Sequence, residues 1–187
     1  MRELCRIWGF GNDLSPVQKI FKNTLLPALT RGQTIVCVCV GTDKVLGDCF
    51  GAVMGDCLLF KRLPIYVYGG TQNNVSARNI DATLKVVNLV HPNALIIVFD
   101  TLCTTNRATI GDIVLSGEYI GVNPKVNICA DLFVYGVTTY LSPTRHNLFS
   151  RLNIIKRLSK ILTDCFACEI QNATRQNLLG FLQKVLN

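Results

Sequence analysis

The sequence contains no long apolar run and no export signal. No stretch approaches the ~18 apolar residues of a membrane-spanning helix. The longest runs, TIVCVCV (34–40) and ALIIVF (94–99), have the length of buried strands. The N-terminal MRELCRIWGFGNDLSP lacks the apolar core of a signal peptide. We therefore expect a cytoplasmic protein that does not associate with a membrane.

The sequence also lacks internal repeats, low-complexity tracts and any stretch with the composition of a linker. Its 187 residues suit a single domain, because domains cluster at roughly 100–200 residues. We therefore predict one domain over residues 1–187, with a core that needs no disulfide or metal to fold.

The nine cysteines do not form the pattern of a disulfide framework. Their number is odd, and Cys37 and Cys39 lie inside an apolar run, where thiols usually pack as small hydrophobic groups. A CxxC pair, Cys165 and Cys168, has no second CxxC to complete the four ligands of a structural zinc site. We therefore predict a structural role for this pair and no metal.

The net charge of +7 is concentrated late in the chain, in RHNLFSRLNIIKRLSK (145–160). Its basic residues fall between apolar positions, which is typical of the solvated face of an amphipathic helix. A basic patch of this kind is also a weak indication of nucleic-acid binding. We expect these basic residues to form the solvated face of a helix, and we expect no nucleic-acid partner.

Strands and helices alternate from residue 34 to residue 100, at the spacing of parallel βαβ units. The predicted strands are 34–40, 64–68 and 94–100, with two more within 109–115 and 126–137. The predicted helices are 15–29, 48–61, one from Ser76 to His91, 145–164 and 174–186. The pattern predicts a three-layer αβα fold with a mostly parallel central sheet.

Two aspartates are placed where an open α/β sheet builds its sites. Asp48 follows the first predicted strand, at or near a helix start, and Asp100 ends the third. Because sites form at the carboxyl ends of parallel strands, neighbouring strands would bring both carboxylates to one rim. Each also has a simpler interpretation, since aspartate is a good helix cap and is common where strands end.

Two carboxylates that share a site resist ionising together, so their pKa values separate. The ionised one can take a proton from water, and the protonated one can donate a hydrogen bond to a carbonyl group. This is the chemistry of acid-type peptide hydrolysis. The helix dipole favours a charged Asp48, so we assign Asp48 as the base and Asp100 as the acid.

Four segments resemble one protein family, and the fourth of them, IGDIVLSGEYIGVN (110–123), is a looser match to its glycine-valine loop. GTDKVLGDCFGAVMG (41–55) resembles the GTDR-x-x-GD-S-L-G-P-L-x-G segment of the YyaC-type sporulation proteins, which are similar to the germination protease, a spore aspartic-type endopeptidase. YVYGGTQNNVSARNID (66–81) resembles VYGTL-x-x-P-V-H-A-x-N-L, and HPNALIIVFDTL (91–102) resembles HPN-x-x-I-I-A-I-D-A-x-L-G. The resemblance covers residues 34 to about 160.

This resemblance implies a hydrogenase maturation peptidase-like fold and a sporulation-related aspartic-type peptidase. By position, Asp48 and Asp100 match the two active-site aspartates of the germination protease. The positions that match the turn and the following helix, and that would shape the site or bind substrate, are Gly41, Thr42, Asp43, Gly47, Gly51 and Asn79. In the maturation peptidases the matching acids help to hold nickel together with a histidine. Neither His91 nor His146 matches that histidine, so we expect no cofactor.

Departures from the family pattern keep two alternatives open. Ala52 replaces a proline, and FDTLCT (99–104) replaces IDACLG. The alternatives are a catalytically degenerate binding protein on the same fold and a nickel-dependent maturation-type endopeptidase. Cys49 and Cys103 flank the aspartates, and either would be a nucleophile only with a histidine nearby. The expected partner is a protein or peptide substrate, and the sequence leaves a homo-oligomer open.

Overall fold

A computed structural model describes residues 3–11, 13–121, 128–141 and 148–186. Within these ranges the chain forms seven strands and four helices. The strands are β1 (Glu3–Trp8), β2 (Ile35–Cys39), β3 (Tyr66–Tyr68), β4 (Leu95–Thr104), β5 (Asp112–Ser116), β6 (Leu132–Leu141) and β7 (Leu148–Ser150). The helices are α1 (Ser15–Thr30), α2 (Phe50–Phe60), α3 (Ile80–Val90) and α4 (Leu152–Leu186).

The strands form one sheet in the order β1-β5-β6-β4-β2-β3, and β7 pairs with the far end of β6. Strands β3, β2, β4 and β6 pair in parallel, whereas β5 is antiparallel to both β6 and β1. Five strands therefore run in one direction, and the predicted mostly parallel sheet is confirmed.

Helices cover both faces of this sheet. The alternation of strand residues divides the core, so that Ile97 and Phe99 of β4 contact the layer that contains α1, α2 and α4. Ile96 and Val98 point the other way and pack in the layer that contains α3. This arrangement confirms the three-layer αβα prediction. No helix in the described part of the chain has the length and apolar character that crossing a membrane requires.

The two central strands lie where their unbroken apolar sequences predict. Every residue of β2 is buried, and β2 pairs with β3 on one side and β4 on the other. Strand β4 is buried from Leu95 to Thr101 between β2 and β6. A strand that is buried on both faces needs no polar alternation, which explains why both were readable from sequence.

The ends of the chain differ from the prediction. Strand β1, at the sheet edge, was missed, because Arg6 and other polar residues interrupt its apolar pattern and leave no long run. The predicted division into two late helices is wrong, since residues 152–186 form one helix. Phe166, Ile170 and Ala173 are buried at helical spacing across the expected gap, so packing continues through it. The start of the predicted helix at 145 and His146 lie outside the described residues.

Two glycines let α2 approach the sheet closely. A Cβ atom on Gly51 would overlap the backbone of Val40, and one on Gly55 would overlap the backbone of Gly69. Helix α2 therefore packs with backbone against backbone over the ends of β2 and β3. This contact fixes the turn between β2 and α2, which carries Asp48.

Candidate active site

A cavity of about 140 Å³ lies beyond the end of β2. It is large enough for several waters or for a small part of a peptide. Its polar lining includes Asp48, Asp100, Thr101, Cys103 and Tyr119. Its apolar walls come mainly from the residue that follows β2, the start of α3 and the segment before β6. The two aspartates that the sequence argument paired therefore border one cavity.

Asp48 reaches this cavity from a short 3₁₀ turn, Leu46–Asp48, that precedes α2. The turn is held by the Thr42 N–H, which donates to the Asp48 carbonyl at 3.0 Å, and by the Asp48 N–H, which donates to the Val45 carbonyl at 2.8 Å. Helix α2 begins at Phe50, with Cys49 in the capping position and no side-chain capping bond. The capping interpretation of Asp48 is therefore wrong, and its half-buried side chain faces the cavity instead.

Asp100 lies inside β4, which continues to Thr104, so the expectation that it ends its strand is wrong. Strand β2 ends at Cys39, opposite Phe99. Asp100 is therefore the first residue of β4 beyond the end of β2, and this places it on the rim. On its other side it is aligned with Tyr135 of β6. Its side chain is 6% exposed and accepts a hydrogen bond from the Thr101 N–H at 2.7 Å.

Burial controls the protonation of both aspartates. The pKa of Asp100 is about 8. Burial is the largest cause and raises it, the Thr101 N–H lowers it by a smaller amount, and the nearby Asp48 also raises it. Burial also raises the pKa of Asp48, opposed by the Thr42 N–H. Desolvation is therefore a larger cause of the raised pKa values than the repulsion between the carboxylates that the sequence predicts. At neutral pH Asp100 is therefore mainly protonated.

The cysteines beside the aspartates are poorly placed to act as nucleophiles. Burial and the two aspartates raise the pKa of Cys103, and burial raises the pKa of Cys49. Their thiolates are therefore disfavoured. His91 packs between Tyr66 and Tyr68 and lies within 3.0 Å of the Tyr68 hydroxyl, away from the cavity lining. Among the described residues, no group of three or more His, Cys, Asp or Glu side chains is arranged to hold a metal.

The predicted glycines shape the turn between β2 and α2. Gly41 has a φ of +152°, and a Cβ atom there would overlap the Asp48 carbonyl. Its N–H donates to the Val75 carbonyl at 2.7 Å, which ties the turn to the segment before α3. Gly47 borders the cavity, and its carbonyl accepts a hydrogen bond from the Thr139 hydroxyl at 2.7 Å. With Gly51 against β2, these contacts set the position of Asp48.

The remaining predicted positions support the site from outside the cavity. Asn74 donates to the Thr42 hydroxyl at 3.5 Å and to the Asp43 carboxylate at 3.3 Å. Asn79 accepts from the Ser76 N–H at 2.7 Å and donates to the Asn74 carbonyl at 3.1 Å. The structure therefore places Thr42, Asp43 and Asn79 in a hydrogen-bond network that joins the turn after β2 to the segment before α3.

Two features of the site were missed. Thr101 borders the cavity, and its buried hydroxyl has no hydrogen-bond partner within the described ranges. The Tyr135 hydroxyl accepts from the Ile120 N–H at 2.9 Å, which holds the segment bearing Tyr119 against β6. Both depend on how β4 aligns with its neighbours, and a single sequence does not give that alignment.

The fold and this rim define an α/β protein with two aspartates at one small cavity beyond a parallel strand. The chain belongs to the family described as "Protein of unknown function (DUF1256)", whose model matches residues 12–165. It is 25% identical over 176 residues to the Bacillus subtilis (strain 168) protein described as "Uncharacterized protein YyaC", which covers 90% of this chain and 84% of that protein. The predicted resemblance to YyaC-type proteins is confirmed.

Proposed function

We propose that this protein is an aspartic-type peptidase that hydrolyses peptide bonds with Asp48 and Asp100. The observation that carries the proposal is that both side chains border one cavity while their environments differ. Asp100 is almost completely buried, with a pKa of about 8, whereas Asp48 is half-buried. Pairs of carboxyl groups with separated pKa values are the usual basis for dividing acid and base roles.

In this mechanism each carboxyl group handles one proton and moves it twice, once in each direction. Ionised Asp48 takes a proton from a water in the cavity, and the resulting hydroxide attacks the carbonyl carbon of the peptide. Protonated Asp100 donates its proton toward the carbonyl oxygen, which would otherwise become negative. Asp48 then returns its proton to the leaving nitrogen, and Asp100 recovers its own as the carbonyl re-forms and the C–N bond breaks.

The local structure supports these assignments. Asp48 lies two residues before the start of α2, and the amino end of a helix favours a negative charge. Asp100 lies deeper, where burial favours the neutral acid. The cavity of about 140 Å³ admits only a small part of a chain, so we expect an extended peptide segment rather than a folded substrate. The family resemblance suggests a protein or peptide substrate in a sporulating cell.

A peptide-library digestion tests the proposal. Wild-type protein, Asp48→Asn and Asp100→Asn would be incubated with a proteome-derived peptide library, and new termini read by mass spectrometry. Wild-type protein should produce cleavages with a common sequence preference, and each variant should abolish them, since neither asparagine can transfer the required proton. Unchanged circular dichroism spectra would show that the variants still fold.

The matched control is Asp81→Asn, which changes an exposed carboxylate in the first turn of α3, outside the cavity lining. It should keep most of the cleavage activity. Equal cleavage by wild-type protein and both site variants would contradict the proposal.

A second candidate is a binding protein that keeps the fold without catalysis. The small cavity and the change from IDACLG to FDTLCT (99–104) favour it. In that case the wild-type protein would cleave no peptide but would retain some on an affinity column, and Asp48→Asn and Asp100→Asn would change which peptides are retained.

A further inference from the structure

Strand β3 forms an open edge of the sheet. It is the last strand in the order, and only β2 pairs with it in the described part of the chain. An edge strand presents backbone N–H and C=O groups without partners, and folded proteins usually protect such an edge with charged side chains. The opposite edge strand, β1, carries Glu3 and Arg6, whereas residues 63–75 contain no charged residue. The β3 edge is therefore open to pairing with another strand.

A groove of about 530 Å³ lies beside this edge. Leu59 and Phe60 of α2 line it, and Val67 of β3 and residues 69–73 complete it. Phe60 is 86% exposed and Leu59 is 55% exposed, so both side chains are accessible to a partner. The groove has the size of a ligand-binding pocket, and none of its lining residues borders the smaller cavity that contains the two aspartates.

Asp56 gives this groove a negative charge. Its carboxylate accepts hydrogen bonds from the Thr71 N–H at 3.0 Å and from the Thr71 hydroxyl at 2.7 Å, and a Cβ atom on Gly70 would lie 2.7 Å from Asp56 Oδ1. Thr71 and Gly70 both line the groove, which places the carboxylate at its wall. The nearby Lys61 bonds to Asp164, and within the described ranges no basic side chain forms an ion pair with Asp56. A carboxylate has about four acceptor positions, so Asp56 can still accept from a basic group.

These features indicate the chemistry of the occupant. An open strand edge recognises an extended backbone, and a flanking pocket selects its alternate side chains. Phe60 follows Asp56 by one turn of α2, about 6 Å along the helix, which is close to the ~6.6 Å between alternate residues of a strand. An extended segment would therefore meet both with side chains two residues apart, one basic and one apolar. A second copy of this chain fits less well, because its own edge, residues 63–75, brings no basic group to Asp56.

We propose that the β3 edge and this groove form a docking site for an extended peptide segment of another protein. The segment adds a strand beside β3, with an apolar side chain against Phe60 and a basic side chain two residues away against Asp56. This inference goes beyond the proposed peptidase function and does not depend on it, because the groove and the smaller cavity share no lining residue.

Selection from a phage-displayed library of random peptides on the wild-type protein tests the inference. Enriched peptides should contain lysine or arginine two residues from an apolar residue, with no proline in this stretch, because proline cannot donate a backbone hydrogen bond. Fluorescence anisotropy of the most enriched peptide, synthesised with a fluorescent label, then gives its dissociation constant. A selection in which no such pattern is enriched would overturn the inference.

Substitutions in the protein locate the bound peptide. Phe60→Ala should weaken binding by roughly tenfold or more, as expected for truncation of an aromatic anchor. Leu89→Ala is the matched control, because Leu89 is 83% exposed on α3 and does not line the groove, and it should bind the peptide as the wild-type protein does. Equal binding by Phe60→Ala and the wild-type protein, or a loss of binding in Asp100→Asn alone, would place the peptide elsewhere and contradict the docking site.

The charge at the groove has its own test. Asp56→Asn keeps an acceptor for the Thr71 N–H and removes the charge. It should weaken binding of the enriched peptide and leave binding of a version with glutamine in place of the basic residue unchanged. Equal losses for the two peptides would show that Asp56 does not meet the basic side chain.

Methylation of the peptide backbone tests the added strand. Alternate N–H groups of the peptide would face β3, so N-methyl groups should abolish binding at every second position and leave it nearly unchanged at the positions between. Equal loss at both sets of positions would show that the peptide does not bind as a strand. Sedimentation equilibrium identifies a second copy as the occupant, since a wild-type dimer that Phe60→Ala dissociates would assign the edge to the chain itself and overturn the inference.

Discussion

At the scale of single residues, Asp100 is a carboxyl group in surroundings that are unlike water. It is 6% exposed, and within the described part of the chain no basic side chain forms an ion pair with it. A carboxyl group in such a place is more stable when neutral. The fold therefore keeps a proton on Asp100 that the unfolded chain would release.

This proton makes the stability of the protein depend on pH. The pKa of Asp100 is about 8 in the folded state, against the ordinary aspartate value of 3.8. Between these values the folded protein binds one more proton than the unfolded chain, so the free energy of unfolding falls as pH rises. The slope from this group is at most about 1.4 kcal/mol per pH unit, and its stabilising effect is complete below about pH 4.

Urea unfolding of wild-type protein and Asp100→Asn between pH 5 and pH 8 measures this effect, over ~3 units of the titration window. Asparagine cannot ionise, so the difference in free energy of unfolding, wild type minus variant, should decrease steadily as pH rises. Curves that stay parallel over this range would show that Asp100 titrates normally and that its burial has no such consequence.

The sequence located the two aspartates but not their neighbours. Asp48 and Asp100 follow from one rule, because both come near the carboxyl ends of buried strands. Thr101 borders the cavity because β2 ends before β4 does. Tyr119 borders it because the Tyr135 hydroxyl holds the segment that contains Tyr119 against β6. Strand lengths and alignments come from the pairing of distant segments, which a single sequence does not show.

At the scale of helices and strands, the contact between α2 and β2 decides where Asp48 lies. Gly51 touches the backbone of Val40, and no side chain fits between them. Gly180 of α4 is the opposite case, since nothing lies within 4 Å of the position where its Cβ atom would be. These two helical glycines offer a direct comparison of packing with intrinsic helix preference.

Gly51→Ala should destabilise the protein by about 1–3 kcal/mol or more, because the added methyl group forces α2 away from β2. Gly180→Ala should stabilise it by up to about 1 kcal/mol, since alanine is the better helix former. Free energies of unfolding from urea titration check both values. A Gly51→Ala variant as stable as the wild-type protein would mean that α2 and β2 are not in backbone contact.

The same scale shows which elements sequence patterns can reveal. Strands β2 and β4 were predicted because they are buried on both faces, and unbroken apolar runs record this. Strand β1 lies at the edge, where polar residues are tolerated, and it was missed. Helix α4 was divided into two because polar residues mix with the buried positions between Cys165 and Ala173.

At the scale of the whole molecule, the site results from the way the layers meet. The sheet carries Asp100, the helix layer on one face positions Asp48 through α2, and the α3 side closes the cavity with Ile80. No single element contains the site, so the proposed chemistry depends on the intact fold. Loss of packing anywhere between α2 and β4 should therefore reduce activity together with stability.

The pH dependence of peptide cleavage tests the central claim most directly. Activity requires Asp48 ionised and Asp100 protonated, so kcat/KM should be bell-shaped. Its acid limb should lie above the ordinary aspartate pKa of 3.8, since burial raises the pKa of Asp48, and its alkaline limb should fall near pH 8 with Asp100. A rate that keeps rising well above pH 8, or cleavage that survives Asp100→Asn, would contradict the paired-aspartate mechanism.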